Sequence, residues 1–552
     1  MPQAFWSRTL GGIPPRSCVF AIVSVLFAAS ATWVLRANAD QLSDLVARTR
    51  TASGPGLGIA NGLHLSGTIN TAGISGKFDR WADLTTGAYS YSLDAGPLSG
   101  VGGFDGQSFW MRDAKGVVLP QNAPARHGIA SEMFQGTEAL YRPNYGGAQI
   151  RYLGSRQDQG RTFDAISFLP AEGKAAQEWW FDANTNLLAR KVITRYGMTT
   201  VIEYSDYQSV GGLMIAHKIV VSHDIGPQEN ADVTAAVANP PDLTEHFRRP
   251  ASSANDFALN GETTVPIDII DHHIYIDLML NGKGPFHFIF DTGGRNMVDP
   301  TVAYQAGARS IGSWRSGGVG PHATEVQFTQ IDQVQIGSAT LSAQPFEIRE
   351  LGPRTNYGWF GTTPIREMQG LIGYELPARF IVTIDYAGRR MIIRNADQRQ
   401  PGVAASDVPL GFWGTWPLVK CSLAGFDGTC LLDTGSFAVM ISKPFIDAHP
   451  AVMPRWFTGA AFIPIMPMEG VVASGFGGRS KGQVGTLASA QFGSHTVNGI
   501  AKTIFSMDER GVGADPYISA IVGNLVLEHF AVTFDYPHGW LGLSHLGSSD
   551  SH

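Results

Sequence analysis

Residues 275–294 read YIDLMLNGKGPFHFIFDTGG, and residues 417–436 read PLVKCSLAGFDGTCLLDTGS. The two segments align without gaps, and each predicts a β-hairpin whose second strand is apolar on both faces and runs into Asp-Thr-Gly. Because Asp, Thr and Gly are common turn residues, one such tripeptide at a strand end would indicate only a turn. Two of them in matching contexts indicate an internal repeat.

A second pair of matching segments follows. Residues 370–393 read GLIGYELPARFIVTIDYAGRRMII, and residues 520–543 read AIVGNLVLEHFAVTFDYPHGWLGL. In both, two apolar residues precede a glycine, and Phe-x-Val-Thr-apolar-Asp-Tyr begins seven residues after that glycine. Since both parts recur in the same order, we infer a duplicated unit of about 140 residues. Residues 275–393 are called repeat 1 below, and residues 417–543 are called repeat 2.

These motifs resemble those of the aspartic protease clan, which includes pepsin-like and retroviral-type enzymes, and particularly those of bacterial retropepsin-like aspartyl proteases. The family signature is Asp-Thr-Gly at the end of a buried strand, with a later apolar-apolar-glycine segment packed beside it. The resemblance covers residues 262–546. It implies a pair of β-barrel lobes, at residues 262–400 and 401–552, that contribute one catalytic aspartate each, Asp291 and Asp433.

A pair of carboxyl groups suits peptide hydrolysis without a metal or a covalent nucleophile. That reaction needs one group that deprotonates water and one that protonates the carbonyl oxygen. Two carboxyl groups about 3 Å apart cannot both ionise, so one pKa rises and the pair shares a proton. The sequence therefore predicts an aspartic endopeptidase that acts on peptide or protein substrates below neutral pH. It is expected to need no cofactor and no metal.

The residues around the aspartates have expected supporting roles. A threonine hydroxyl can both donate and accept, and by resemblance Thr292 and Thr434 hydrogen-bond across the two lobes. Gly293 and Gly435 lack side chains, so their backbone N–H groups can approach the carboxylates. The segments expected to pack beside the site are Leu371, Ile372, Gly373, Ile521, Val522 and Gly523.

The two lobes differ directly after the tripeptide. Ser436 is expected to hydrogen-bond the outer oxygen of Asp433, whereas Gly294 has no side chain that could do the same. Arg295 follows Gly294 where the second lobe has Phe437. The family has Ala or Ser at the position of Gly294. The departure leaves open whether lobe 1 is fully active or is the less supported half of an asymmetric pair.

Glycine-rich stretches at residues 316–320 and 474–478 have two interpretations. They form hinged hairpins that close over substrate, or ordinary surface loops. An apolar insertion at residues 460–468 likewise lines a hydrophobic subsite or packs under its lobe.

Residues 40–238 begin with a short amphipathic helix and continue in strand patterns, which predict a curved antiparallel sheet. The segment resembles lipoprotein-carrier (LolA-like) domains through WFDANTN at residues 180–186 and YSDY at residues 204–207. This resemblance implies a fold and says little about a ligand. The polar, Pro-rich residues 239–261 are expected to be an exposed linker.

Residues 1–39 carry the features of an export signal. Arg8 and Arg16 precede an apolar run at residues 18–35, and a small-x-small site follows at residues 37–39. Because the run is nearly long enough to cross a bilayer, an uncleaved inner-membrane anchor is the second interpretation. Both place the rest of the protein in the periplasm or facing it.

Cys421 and Cys430 lie on either side of a predicted hairpin turn. In an oxidising compartment they form a cross-strand disulfide, or they remain two buried thiols. The sequence leaves these alternatives open.

Composition narrows the function classes. With 44% hydrophobic and 16% charged residues, the chain is expected to be folded and rich in β-structure. The net charge is -7 and no Lys/Arg-rich run stands out, so nucleic acid is not an expected partner. A monomeric catalytic unit is expected. Two alternatives are an inactive envelope binding or scaffold protein, and a lipid- or lipoprotein-binding N-terminal domain with a regulatory protease.

Overall fold

The computed structural model describes residues 40–122, 137–195, 197–317, 322–351, 355–358, 361–364, 368–398, 408–454, 470–475 and 478–545. The predicted signal or anchor segment, the apolar insertion and part of each glycine-rich stretch lie outside these residues. Within the described segments, no helix is both long and apolar enough to cross a membrane.

The N-terminal region forms one sheet of 13 strands. Its strands are β1 (Gly62–Thr71), β2 (Ile74–Asp83), β3 (Tyr89–Asp94), β4 (Gly100–Phe104), β5 (Phe109–Arg112), β6 (Val118–Pro120), β7 (Gln149–Asp158), β8 (Arg161–Leu169), β9 (Gln177–Asp182), β10 (Leu188–Arg195), β11 (Met198–Val210), β12 (Leu213–His223) and β13 (Glu229–Ala238). The spatial order is β6-β5-β4-β3-β2-β1-β13-β12-β11-β10-β9-β8-β7, and neighbours are antiparallel where β1 meets β2 and β13. A helix through residues 40–52 packs on this sheet, where Leu45 shares a buried cluster with Trp179 and Phe181.

The remaining strands form two large sheets, one sheet shared between the repeats and one separate two-stranded hairpin. They are β14 (Phe257–Ala258), β15 (Glu262–Pro266), β16 (Asp268–Ile270), β17 (His273–Leu280), β18 (Lys283–Phe290), β19 (Met297–Val298), β20 (Gly312–Ser316), β21 (Thr324–Ile336), β22 (Ala339–Ile348), β23 (Thr355–Gly358), β24 (Gly361–Pro364), β25 (Gly370–Ile372), β26 (Phe380–Asp385), β27 (Arg390–Asn395), β28 (Val408–Pro409), β29 (Gly411–Trp413), β30 (Trp416–Leu423), β31 (Phe426–Leu432), β32 (Val439–Ile441), β33 (Gly470–Gly475), β34 (Gly478–Phe492), β35 (His495–Ser506), β36 (Ala520–Val522), β37 (Phe530–Asp535) and β38 (Trp540–His545).

Short helices connect the strands. The α-helices of this region are Pro300–Gln305, Lys443–Ala448 and Asn524–Leu527. In the described residues, the 3-10 helices are Gly96–Leu98, Thr137–Tyr141, Pro143–Gly147, Leu243–Phe247, Ala396–Gln398, Pro450–Val452 and Val512–Ala514.

The two repeats have the same strand pairing. In repeat 1 the hairpin β17–β18 continues through β25, β19, β22 and β21, and β21 pairs back with β17. In repeat 2 the hairpin β30–β31 continues through β36, β32, β35 and β34, and β34 pairs back with β30. The pairings therefore close into a ring in each repeat. The prediction of a mostly β chain is confirmed.

A third sheet joins the repeats. Its order is β15-β27-β26-β37-β38-β28, so β26 of repeat 1 pairs with β37 of repeat 2. At this junction the hydroxyls of Thr383 and Thr533 are 2.9 Å apart. One buried apolar cluster runs through both repeats, which fixes their relative position.

Buried polar contacts connect the N-terminal sheet to both repeats. Arg379, whose side chain is 1% exposed, forms ion pairs with Asp113 at 3.0 Å and Asp256 at 2.6 Å. Arg195 pairs with the buried Asp515 of repeat 2 at 3.2 Å. Most residues at 239–261 are exposed, but Asp256 is buried inside this network. Removal of one partner from such a pair leaves an uncompensated buried charge.

Candidate active site

Asp291 and Asp433 each follow the second strand of a hairpin. β18 ends at Phe290 and β31 ends at Leu432, so the two aspartates occupy equivalent positions. The Asp291 backbone N–H donates to Ile372 O at 3.0 Å, and the Asp433 N–H donates to Val522 O at 3.0 Å. Both aspartates are buried, each with 9% of its surface exposed.

The structure brings the two carboxyl groups together. A hydrogen bond joins the side chains of Asp433 and Asp291. Burial raises the pKa of Asp433 well above its usual value, and the charge of Asp291 and this hydrogen bond raise it further. Backbone N–H groups of Gly435 and Ser436 act in the opposite direction. The arrangement therefore favours a proton held between the two groups.

Two threonines link the loops that carry the aspartates. The Thr292 N–H donates to Thr434 Oγ1 at 3.0 Å, and the Thr434 N–H donates to Thr292 Oγ1 at 3.1 Å. Each hydroxyl then donates across the repeats, from Thr292 to Leu432 O at 3.0 Å and from Thr434 to Phe290 O at 2.7 Å. Both threonines are fully buried. These four bonds hold the loops in one orientation.

The glycines of the tripeptides lie against the aspartates. The Gly293 N–H donates to Asp291 Oδ1 at 3.0 Å, and the Gly435 N–H donates to Asp433 Oδ1 at 2.9 Å. A methyl group at Gly293 would lie 2.6 Å from Asp433 Cγ, and one at Gly435 would lie 2.5 Å from Asp291 Oδ1. Each glycine therefore makes room for the carboxyl group of the opposite repeat.

The apolar-apolar-glycine segments lie beside these loops. β25 runs parallel to β18, with Leu371 opposite Ile289, and β36 runs parallel to β31, with Ile521 opposite Leu431. Ile372 and Val522 end these strands and are fully buried. The glycines that follow, Gly373 and Gly523, pass so close to the aspartate loops that a Cβ would clash with backbone atoms.

Ser436 differs from the sequence prediction. Its hydroxyl donates to Ala438 O at 3.2 Å, not to the outer oxygen of Asp433. The side chain is turned toward its own loop, so only the backbone N–H of Ser436 supports the aspartate. At Gly294 of repeat 1, a Cβ would lie 2.7 Å from Asp291 Oδ2.

Sequence reasoning missed one relay between the repeats. Tyr386 Oη donates to Asn524 Oδ1 at 2.7 Å, and Asn524 Nδ2 donates to Thr434 O at 2.8 Å. A tyrosine of repeat 1 thereby supports the aspartate loop of repeat 2. The sequence feature that could have indicated this relay is the tyrosine that ends the Phe-x-Val-Thr-apolar-Asp-Tyr pattern in both repeats.

A second missed group supports the loop of repeat 1. Asn296 Oδ1 accepts the Gly373 N–H at 2.9 Å, and the Asn296 N–H donates to Glu375 Oε2 at 3.2 Å. Burial raises the pKa of Glu375 from 4.5 to about 7. The polar residues Asn296 and Glu375 inside an apolar segment were the signal for this contact.

The hairpin β20–β21 of repeat 1 and the hairpin β33–β34 of repeat 2 approach each other. Gly478 begins β34, and a Cβ at this residue would lie 3.3 Å from Cδ2 of His322, which precedes β21.

The structure also links Cys421 and Cys430 through a disulfide within the hairpin β30–β31. In the described part of the chain, no group of three or more His, Cys, Asp or Glu residues is placed to hold a metal ion.

Comparison with known proteins gives one match in sequence and several in structure. Residues 276–376 match a family model described as Aspartyl protease. No curated protein matches the sequence.

Three solved structures illustrate the likenesses. An aspartic proteinase from Irpex lacteus is 11% identical and covers 52% of this chain and 99% of its own, with a TM-score of 0.33. A retropepsin-like aspartic protease from Rickettsia conorii is 18% identical and covers 24% of this chain and 91% of its own, with a TM-score of 0.17. A LolA superfamily protein from Nitrosomonas europaea is 10% identical and covers 37% and 96%, with a TM-score of 0.27. Scores at this level support no inference about activity.

Proposed function

We propose that this chain is an aspartic endopeptidase in which Asp291 and Asp433 activate a water molecule between them. The observation that carries the proposal is the hydrogen-bonded carboxyl pair, contributed by two repeats and fixed by the reciprocal threonine bonds. Two acids placed together in a buried site are costly unless they serve a purpose. The match of residues 276–376 to aspartyl proteases supports the same conclusion.

The mechanism follows from the shared proton. In the active form the pair carries one proton, so one carboxylate is charged and accepts a proton from the bridging water. The protonated partner donates to the scissile carbonyl oxygen as the water oxygen bonds to the carbonyl carbon. The resulting tetrahedral diol collapses when its C–N bond breaks: the protonated carboxyl group gives its proton to the leaving nitrogen, and one diol hydroxyl gives its proton to the charged carboxylate as the new C=O forms. The two carboxyl groups then return to their starting state.

The rest of the proposal concerns where and in what form the enzyme works. Since one chain supplies both aspartates, the catalytic unit is a monomer. The leader-like residues 1–39 and the disulfide between Cys421 and Cys430 fit export to the oxidising periplasm, as a free or membrane-anchored protein. The substrate is a peptide or an unstructured protein segment.

The test replaces each aspartate by asparagine. Asp291→Asn and Asp433→Asn each keep the shape of the side chain but remove the shared acid, so each is expected to reduce peptide cleavage by about 10³-fold or more. Cleavage of an unstructured peptide library, followed by mass spectrometry, measures the loss. Asp427→Asn, an exposed change on β31, the strand that precedes Asp433, is the matched control.

Two outcomes would contradict the proposal. Undiminished cleavage by either variant would exclude a shared dyad. Complete absence of cleavage by the folded wild-type protein across pH 3 to 8 (roughly the range in which one shared proton is expected) would favour the inactive scaffold instead.

A further inference from the structure

Arg295 lies at the edge of the proposed catalytic pair. It is an exposed residue four positions after Asp291. The turn before it is closed by the Gly294 N–H, which donates to Asp291 O at 3.3 Å. A Cβ at Gly373 would lie 2.6 Å from the Arg295 Cα, so the backbone on this side is tightly packed. The base of the arginine is therefore fixed relative to the aspartates.

Within the described residues, the Arg295 guanidinium forms no salt bridge. Its positive charge acts on the buried Glu375, whose pKa it lowers against the larger effect of burial. The guanidinium carbon lies 6.0 Å from the centre of the Tyr374 ring, at the outer limit for a cation–π contact. An exposed guanidinium with unused donors is well suited to bind a carboxylate through two hydrogen bonds.

The equivalent position in repeat 2 is apolar. Phe437 is partly buried against a cluster that includes Leu418 and Met440. The loops that follow the two aspartates therefore differ in chemistry, with an exposed cation after Asp291 and a partly buried apolar ring after Asp433.

The distances allow contact with a bound peptide. Four residues of chain span at most about 13 Å, so Arg295 Cα lies no farther than this from Asp291 Cα. An extended substrate advances about 3.3 Å per residue, so the arginine is within reach of substrate residues up to about four positions from the scissile bond.

We propose that Arg295 forms a subsite for an acidic side chain, aspartate or glutamate, of the peptide substrate. The subsite rests on the proposed protease function and gives that function a substrate class. The bond is exposed to solvent, so its contribution is modest and decreases with added salt.

The experiment uses the full chain and two series of peptides. In one series a single glutamate is placed at each of the four positions on either side of the scissile bond, and in the other series glutamine takes its place. At one or two positions, wild-type kcat/KM is expected to be about three- to tenfold higher for glutamate than for glutamine. Arg295→Gln should bring this ratio close to one, and Arg295→Glu should lower it below one.

A matched control and a rival role sharpen the test. Lys283→Gln removes an exposed cation at the start of β18, the strand that ends just before Asp291. Lys283 lies about 26 Å from Asp291, so this change should leave the ratio of glutamate to glutamine cleavage unchanged. If Arg295 only stabilises the buried Glu375, Arg295→Gln will lower kcat for all peptides equally and leave the ratio intact. That result would overturn the subsite.

The possible failures can be told apart. If wild-type protein cleaves the glutamine peptides but shows no preference for glutamate at any position, the subsite is wrong and the protease function stands. If it cleaves neither series, the function fails and the subsite fails with it. The wild-type comparison does not depend on the variants, and thermal unfolding shows whether each variant is folded.

Discussion

The two repeats support their aspartate loops through different contacts. In repeat 2 the Gly523 N–H donates to a backbone oxygen, Ala438 O, at 3.1 Å. In repeat 1 the Gly373 N–H donates instead to the side-chain oxygen of Asn296 at 2.9 Å. The residue after this glycine also differs. In repeat 2 it is Asn524, whose side chain donates to Thr434 O, and in repeat 1 it is Tyr374.

The difference shows which contacts a duplicated site must retain. The threonine bonds, the close glycines and the parallel strands are the same in both repeats, because they set the position of the carboxyl groups. The outer contacts differ in chemistry and still satisfy the same backbone groups. Changes at the shared contacts should therefore have large effects, and changes at the outer contacts should have smaller effects that differ between repeats.

Among the contacts that support the aspartates, the largest effect is expected from the glycines of the shared core. Gly435→Ala and Gly293→Ala each push a methyl group into the opposite carboxyl, and a displacement of about 1 Å should reduce kcat/KM about 100-fold. Gly102→Ala in the N-terminal sheet, where the nearest atom is 3.8 Å away, is the control. Steady-state kinetics at the pH optimum measure the effect. Wild-type activity in either variant would show that the close approach is not required.

A pH-dependent difference is expected from Glu375, which stands where repeat 2 has Leu525. Because the folded-state pKa is raised from 4.5 to about 7, the folded protein binds this proton more tightly than the unfolded chain. The protonated Glu375 therefore contributes to the free energy of unfolding, fully below pH 4.5, and this contribution is lost as the pH rises to about 7. The change corresponds to roughly 3 kcal/mol.

Urea unfolding at several pH values tests this expectation. Between low and neutral pH, the free energy of unfolding should fall less in Glu375→Gln than in wild type, because glutamine cannot ionise. The difference should be roughly 3 kcal/mol. Asp427→Asn should keep the wild-type pH dependence. Parallel curves for wild type and Glu375→Gln would mean that Glu375 does not titrate in this range.

The two matching tyrosines provide a smaller contrast. Tyr386→Phe removes the donor to Asn524 and should lower the free energy of unfolding by about 1 to 2 kcal/mol. Tyr536 Oη is buried and, among the described residues, has no hydrogen-bond partner, so Tyr536→Phe should change it by less than about 0.5 kcal/mol. Equal effects in denaturant unfolding would show that the relay is not specific to one repeat.

The smallest effect is expected at Ser436. Because its hydroxyl donates to Ala438 O, Ser436→Ala should reduce kcat/KM by less than about threefold. A loss above about tenfold would mean that the hydroxyl reaches Asp433 in the substrate complex, as the sequence predicts.

Much of the fold and of the site could be predicted from local patterns. Strand alternation, the paired hairpins and the repeated glycine segments indicated a mostly β chain with two equivalent units, and the same patterns selected Asp291 and Asp433. The direction of the Ser436 hydroxyl was not predictable, because a serine in a loop can bond to several groups within reach. The relay from Tyr386 to Asn524 joins residues 138 positions apart, a separation at which sequence spacing gives no information about contact.

Local sequence patterns specify which residues end the buried strands and that this arrangement occurs twice, because strand periodicity and turn chemistry act over a few neighbouring residues. Long-range packing brings the two strand ends together and makes each glycine leave room for the other repeat's carboxyl group. It also gives one loop its support from Asn296 and the other its support from Asn524. These contacts depend on how two rings of strands pack through a shared sheet, which is set by the summed burial of many side chains and not by any single motif.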